Sequence, residues 1–348
     1  MTITNAEASA RLSPGWLVGS GFDSGFIFGT AAIALASGAV VIANPLLFPV
    51  VLMLDLWFLG YHHVVSTFTR LCFDKESLQK HRFLVFVLPV IVLACCVGAA
   101  WGIGFWVLGT TYLYWQWFHY TRQSWGVASV YRRKAEGSEM ESETFLKAVH
   151  YLLPATGILY RSYQQPETFL GLELRVAPVP EFVVLIFAAA TIASLLAFAW
   201  SRIAMWRRGT QPLAHTAYMI THFIVFATGY ILIEDITYGW LVINIWHNAQ
   251  YILFVWIFNN KKHAKGIDPK ARFLSVISQT KNWPYYFFIC FAISTSVYLV
   301  ISMANDHLAA IALPAIIIYQ TINFHHYIVD GLIWKARKKP MRKTLGLA

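Results

Sequence analysis

Residues 182–200 read FVVLIFAAATIASLLAFAW, a run without a charged side chain. At a rise of about 1.5 Å per residue, a helix of this length crosses the roughly 30 Å hydrocarbon core of a bilayer. Comparable runs recur along the 348-residue chain, which is 57% hydrophobic and only 13% charged. A soluble domain carries about twice that charged fraction. The composition therefore excludes a soluble globular fold, and it excludes disordered, collagen-like and disulfide-scaffold classes as well.

The apolar runs predict an all-α fold, a polytopic helical bundle of about ten transmembrane helices. A single membrane domain at 25–335 is expected between a cytoplasmic N-terminal segment at 1–24 and a basic cytoplasmic tail at 336–348. The predicted spans are 25–44, 46–70, 83–101, 103–130, 145–161, 182–205, 213–233, 239–260, 284–303 and 307–335.

The basic residues predict the orientation of this bundle. If the N-terminus is cytoplasmic, every Lys and Arg except Arg161 and Arg175 falls on the cytoplasmic side, as the positive-inside rule requires. Both termini are then cytoplasmic, and we expect a multi-pass protein of a bacterial-type inner membrane, in contact with membrane lipid. The net charge of +10 reports this topology and not a nucleic-acid partner, because the basic residues lie in short loops.

Several of the twelve histidines fall inside predicted spans. Histidine is costly in a membrane helix unless it is paired, so it marks a candidate functional site. Counting back from the nearest cytoplasmic Arg or Lys places these residues roughly 10 to 20 Å inside the boundary. Five helices carry them at comparable depth: His62 and His63, His119, His222, His247, and His325 and His326.

This recurrence predicts a shared metal site. Neutral imidazole ligands without nearby thiolates suit Fe, Zn, Cu or Ni, and iron suits a site that meets oxygen and an apolar substrate. Asp55 and Asp330 lie on the same helical faces as His62 and His326, so we expect them to orient the histidines or to bind the metal themselves. Neighbours on a helix point about 100° apart. Only one member of each pair is therefore expected to face a single metal, and the other would serve a second metal or an orienting hydrogen bond.

Three further residues are candidates for catalysis. Tyr251 and Tyr327 follow His247 and His326 on the same helices and could line the substrate cavity or simply pack. Arg122 lies three residues after His119. It could pair with an aspartate or an acidic substrate group, or it could extend to the membrane surface.

Four segments contain the histidines in order: YHHVVSTFTR at 61–70, FHYTRQSWG at 118–126, WHNAQYILFVW at 246–256 and FHHYIVDGLIWK at 324–335. Their order and composition resemble the Brp/Blh-type membrane β-carotene dioxygenases, in which four helices each offer a histidine. The resemblance implies a non-haem iron oxygenase with ligands at His62 or His63, His119, His247 and His325 or His326. Where that family has an aspartate shortly after the first two histidines, this chain has Ser66 and Thr67, and Gln123 and Ser124.

The preferred hypothesis is thus a membrane iron-dependent oxygenase, with one or two non-haem irons, molecular oxygen as co-substrate and a lipophilic small molecule as substrate. A dioxygenase needs no reductase, whereas a monooxygenase or hydroxylase would take electrons from a cytoplasmic donor. One alternative is a membrane electron-transfer protein with haem between two histidines such as His222 and His247. Another is a transporter in which histidines and Asp55 form a proton or metal path.

Overall fold

The fold is described from a computed structural model, which covers residues 15–135, 138–305, 307, 313–335 and 339–347. Thirteen helices and one hairpin are used below. The helices are α1 Ser20–Ala43, α2 Pro45–Cys72, α3 Lys75–Lys80, α4 Phe83–Gly102, α5 Trp106–Lys134, α6 Glu143–Gln164, α7 Glu181–Arg208, α8 Leu213–Ala227, α9 Ile236–Lys262, α10 Arg272–Ile277, α11 Thr280–Met303, α12 Ala315–Ile333 and α13 Lys339–Leu345. The strands are β1 Thr168–Phe169 and β2 Leu172–Glu173.

The all-α prediction is confirmed. Six of the described helices, α1, α2, α4, α7, α9 and α11, are long and apolar enough to cross a membrane, which identifies a helical membrane protein. The other four predicted crossings correspond to α5, α6, α8 and α12, whose sequences are more polar. Ten crossings and cytoplasmic termini stay predictions. Of the two terminal segments, residues 1–14, 336–338 and 348 lie outside the described part of the chain.

Helix α9 lies at the centre of the bundle. In its most apolar window 78% of the residues are buried, against 11% for α7, which is therefore a peripheral helix. Close packing on α9 depends on glycine: a Cβ at Gly239 would overlap the carbonyl oxygen of Gly229, at the end of α8. The buried Arg161 of α6 donates hydrogen bonds to the carbonyl groups of Glu234 (2.5 Å) and Ile233. These bonds satisfy carbonyls that would otherwise lack partners beyond the end of α8.

Four helices contain a π-helical turn, in which each backbone bond spans one residue more than in an α-helix. The turns are Gly25–Gly29 in α1, Leu56–Gly60 in α2, Phe83–Val87 in α4 and Thr228–Leu232, which continues α8. The turn in α2 ends two residues before His62. It therefore sets the direction in which the histidine pair projects.

The segment after α6 forms a hairpin that packs into one end of the bundle. Phe169 is fully buried and contacts Tyr112 and Trp240, with ring centroids 6.0 and 5.6 Å away. The turn places Gly171 at a φ of 76°, a conformation that glycine adopts without steric cost. The hairpin thereby closes that end of the bundle.

Candidate metal centre

The structure gathers four buried side chains from three helices into one group. They are His63 of α2, His119 of α5, and His326 and Asp330 of α12, each at most 6% exposed. One potential ligand atom of each lies within 4.8 Å of those of the others. We call this group the histidine cluster.

His247 of α9 adjoins the histidine cluster. Its ring centroid lies 4.7 Å from that of His63 and 5.0 Å from that of His119. A fourth helix therefore contributes an imidazole, and all four sequence segments singled out above meet at this place.

Hydrogen bonding in the cluster is incomplete in a way that fits a cation. The Nε2 atoms of His63 and His326 lie only 2.6 Å apart. Among the described residues, four nitrogen and oxygen atoms of these side chains find no hydrogen-bond partner: His63 Nδ1, His119 Nε2, His247 Nε2 and Asp330 Oδ2. Buried polar atoms without partners are costly. Neutral imidazole nitrogens and a carboxylate oxygen are ligands for Fe, Zn, Cu and Ni, so the donor set fits such an ion.

Thr67 and Tyr251 hold two members of the cluster in place. The Thr67 Oγ1 atom lies 3.0 Å from His326 Nδ1 and 3.2 Å from Asp330 Oδ1. The Tyr251 hydroxyl donates to Asp330 Oδ1 at 2.7 Å and contacts Thr67 at 2.6 Å. While Oδ1 accepts these hydrogen bonds, the other oxygen of Asp330, Oδ2, lies 3.5 Å from His326 Nε2. Such outer contacts fix the tautomer and direction of metal-binding histidines.

The other member of each histidine pair, His62 or His325, lies outside the cluster. His325 approaches the carbonyl oxygen of Leu84 at 2.7 Å and stacks on Phe68. His62 contacts Phe287, with ring centroids 5.9 Å apart, and its Nε2 is buried without a partner among the described residues. The structure therefore places His63 and His326, and not their neighbours, at one centre.

Two other predicted metal residues are engaged elsewhere. Asp55 accepts hydrogen bonds from Asn244 (2.5 Å) and Asn248 (3.5 Å) of α9, so it holds amides and not imidazoles. His222 of α8 stacks on His150 of α6, with centroids 3.7 Å apart. The Nδ1 atom of His222 contacts Ser124 Oγ at 2.9 Å, and its Nε2 donates to the His150 carbonyl at 3.0 Å.

The three predicted catalytic residues all border the cluster. Tyr251 contacts Asp330, as described, and Tyr327 stacks on His119 with centroids 4.3 Å apart. Arg122 lines a cavity of about 70 Å³ together with His119 and Asp330. Its guanidinium lies against Gly331, where a Cβ would come within 2.9 Å of both terminal nitrogens.

Cavities lie on opposite sides of the cluster along the helix axes. The one containing Arg122 is bordered by Met341 and Leu345 of α13. The other measures about 250 Å³, has His63, His247 and His326 in its wall, and extends to the hairpin at Leu170. The cluster thus separates an arginine-lined space near the C-terminal helix from a larger space on the hairpin side.

Sequence reasoning did not assign a role to Thr67 or to His150. Thr67 lies four residues after His63, which places both on one helical face, and that spacing was the available signal. The contact of His150 with His222 depends on how α6 packs against α8.

Comparison with family models, with curated proteins and with solved structures gives no match for this chain. Function is therefore inferred from the residues described above.

Proposed function

We propose that this protein is an integral membrane oxygenase that depends on a metal ion and acts on a lipophilic substrate. We assign the metal as non-haem iron. The observation that carries the proposal is the histidine cluster itself: imidazoles from separate helices and one carboxylate are buried together, and several of their nitrogen and oxygen atoms lack hydrogen-bond partners among the described residues. His63, His119, His326 and Asp330 would hold the ion, with His247 beside them.

The donor atoms of the cluster favour non-haem iron over metal centres that prefer thiolate ligands. Histidine with carboxylate ligation is typical of non-haem iron sites that keep open positions, whereas thiolates favour Cu(I), zinc or iron–sulfur clusters. Among the described residues all four cysteines, Cys72, Cys95, Cys96 and Cys290, are free and none belongs to the cluster. A bound iron ion would supply the redox chemistry that activates molecular oxygen.

The surrounding residues have defined tasks in this proposal. Thr67 and Tyr251 fix Asp330 so that a single oxygen, Oδ2, points to the cluster. Tyr327, stacked on His119, borders the larger cavity and keeps one side of the centre free of water. Arg122 places a positive charge beside Asp330 in the smaller cavity, where it would balance the carboxylate or attract an anionic group.

We also propose ten crossings with both termini in the cytoplasm, in the plasma membrane of a bacterial-type cell. The distribution of Lys and Arg supports this orientation. The cavity next to α13 would then open toward the cytoplasm, where an electron donor could reach it if the reaction is a monooxygenation. The hairpin would face the other side of the membrane.

The test compares neighbouring histidines on α12 in full-length protein purified in detergent. Metal analysis and a visible spectrum are recorded for the wild type, for His326→Ala and for the matched control His325→Ala. We expect one or two irons per chain without a haem band in the wild type and in His325→Ala, and loss of iron in His326→Ala.

Other results would overturn the proposal. A strong haem band would assign the histidines to electron transfer. Wild-type protein that takes up no metal even when it is supplied would favour a proton path. Equal iron in both variants would remove His326 from the site.

A further inference from the structure

The larger cavity beside the histidine cluster has several polar groups in its wall, although it lies inside a membrane bundle and most of its surface is apolar. Amide side chains from two helices border it: Asn244 and Asn248 of α9, and Gln320 and Asn323 of α12. Tyrosines from four helices complete the wall. An apolar lining with a few placed polar groups is typical of a site that holds a small molecule in one orientation.

Two of these amides are held in position from behind. Asn244 donates to Asp55 at 2.5 Å, and its Oδ1 accepts a hydrogen bond from the Tyr120 hydroxyl at 2.5 Å. Asn248 donates to the other oxygen of Asp55 at 3.5 Å. The buried carboxylate therefore acts as a support for this part of the wall, which makes the amide positions a fixed feature of the cavity.

One polar group in the wall of the cavity, the side-chain amide of Gln320, lacks a hydrogen bond to its oxygen in the described part of the chain. The residue is 3% exposed, and among the described residues its Oε1 has no hydrogen-bond partner. Leaving a buried amide oxygen unpaired costs free energy that a hydrogen-bonding ligand would recover. Gln320 Oε1 could accept this hydrogen bond from a hydroxyl group of a ligand.

A groove on the outside of the bundle has a more apolar lining than this cavity. The groove between α1, α2, α9 and α11 encloses about 760 Å³ and is lined largely by phenylalanine, glycine and aliphatic side chains. Surfaces suited to hydrocarbon chains thus exist in this protein. The cavity next to the histidine cluster has a different chemistry.

We propose that this cavity binds the hydroxyl-bearing end of a long-chain or isoprenoid alcohol, with Gln320 as the residue that recognises the hydroxyl group. The proposal rests on the proposed oxygenase function and specifies its substrate class as an oxygenated lipid, not a plain hydrocarbon. At about 250 Å³ the cavity is smaller than the roughly 300–1,000 Å³ that enclose a whole drug-sized ligand. It therefore takes one end of a long molecule while the tail stays outside.

The tail has a route between three helices. Tyr61 of α2, Tyr298 of α11 and Tyr319 of α12 line one side of the cavity. The rings of Tyr61 and Tyr298 stack at 3.6 Å, and Tyr319 lies 5.8 Å from Tyr298. Tyr61 and Tyr319 are half-buried, so this row of rings reaches the outer surface of the bundle. An alcohol in the bilayer would enter along it with its hydroxyl group leading.

The experiment uses two matched photoreactive probes, a long-chain alcohol with a diazirine in its chain several carbons from the hydroxyl group and the corresponding alkane. Full-length protein in phosphatidylcholine vesicles is labelled with each probe, and the modified residues are mapped by peptide mass spectrometry. We expect the alcohol to label the cavity tyrosines Tyr61, Tyr298 and Tyr319, and the alkane to label mainly the outer groove. Gln320→Leu should lower alcohol labelling of the cavity about tenfold, since one buried hydrogen bond is lost.

Thr321→Val is the control on the same helix, because Thr321 bonds the Ile317 carbonyl and faces a different hollow. It should label like the wild type. Asn323→Leu is the second cavity variant, and retained labelling of the outer groove shows that each variant is folded. Equal labelling of the cavity by both probes, or a Gln320→Leu protein indistinguishable from the control, would overturn the assignment.

Iron content measured on the same samples separates this proposal from the oxygenase proposal. Selective alcohol labelling in protein that binds no metal would refute the oxygenase and retain the alcohol cavity. Iron-loaded protein whose cavity does not distinguish the probes would refute the alcohol cavity alone.

Discussion

The molecule contains two buried groups of histidines with contrasting hydrogen bonding. In the pair formed by His150 and His222, three of the four ring nitrogens have protein partners: Ser124 Oγ, the His150 carbonyl and, at 3.3 Å from His150 Nε2, the Thr121 carbonyl. In the histidine cluster the nearest partner of His63 Nε2 is another imidazole, His326. His63 Nδ1, His119 Nε2 and His247 Nε2 have none among the described residues.

The difference separates a packing role from a binding role. Both groups are almost completely buried, so burial alone does not identify a site. An imidazole whose nitrogens are satisfied by the protein contributes to folding, as most buried polar groups do. Several buried imidazoles that face one another and lack protein partners among the described residues form a place where an external ion can bind. The comparison therefore yields predictions in which the two groups respond in opposite ways.

The largest expected effect is on metal content. His63→Ala removes a donor atom from the centre of the cluster, so bound metal should fall to background. His222→Ala removes a residue whose nitrogens bond to protein, so it should keep the wild-type metal content while losing about 1–3 kcal/mol of folding stability. Elemental analysis and thermal unfolding of the purified proteins measure both. Metal loss from His222→Ala at unchanged stability would erase the distinction between the groups.

An intermediate effect is expected from chelation. A ligand present at a hundred times its Kd stabilises the folded state by about 2.7 kcal/mol, so removing the metal should lower the Tm of the wild type by several degrees. His222→Ala should show the same decrease from a lower starting Tm. His119→Ala, with its binding site broken, should unfold at one temperature with or without chelator. A chelator-dependent Tm in His119→Ala would exclude His119 as a ligand.

The smallest expected effect comes from removing the hydroxyl groups that orient the histidines in each of the two groups. Thr67→Val removes the contact to His326 Nδ1 and Asp330 Oδ1, and loss of such an orienting contact weakens metal binding about 10- to 100-fold. Ser124→Ala removes the corresponding contact to His222 and should leave metal affinity unchanged. Competition titration with a chelator of known affinity ranks the two variants. Equal affinities would mean that Thr67 does not hold the centre.

Much of the fold, the three histidines of the cluster and the adjoining His247 follow from the sequence, because hydropathy and depth along a helix are readable from spacing. His63, His119, His247 and His326 were all predicted, and the structure brings them together. Depth does not give the direction around the helix axis, however. His222 lies at a comparable depth but faces α6, where it meets His150.

The sequence also does not show which member of the first histidine pair, His62 or His63, faces the cluster. Counting α-helical positions places Asp55 and His62, seven residues apart, on one face. The π-helical turn Leu56–Gly60 lies between them and shifts the register by about one residue. His63 therefore takes the direction that the α-helical count assigned to His62. Nothing in the residues of that turn distinguishes π from α winding, since the choice depends on contacts with neighbouring helices.

The π-helical turn also has a consequence for the adjacent pair His62 and His63. If a change in a neighbouring helix relaxed that turn to α winding, the following residues would rotate by about 100°, and His62 would come to point where His63 points now. Either winding presents an imidazole to the same place. The adjacent pair would therefore keep an imidazole at the centre through a one-residue change in helical register.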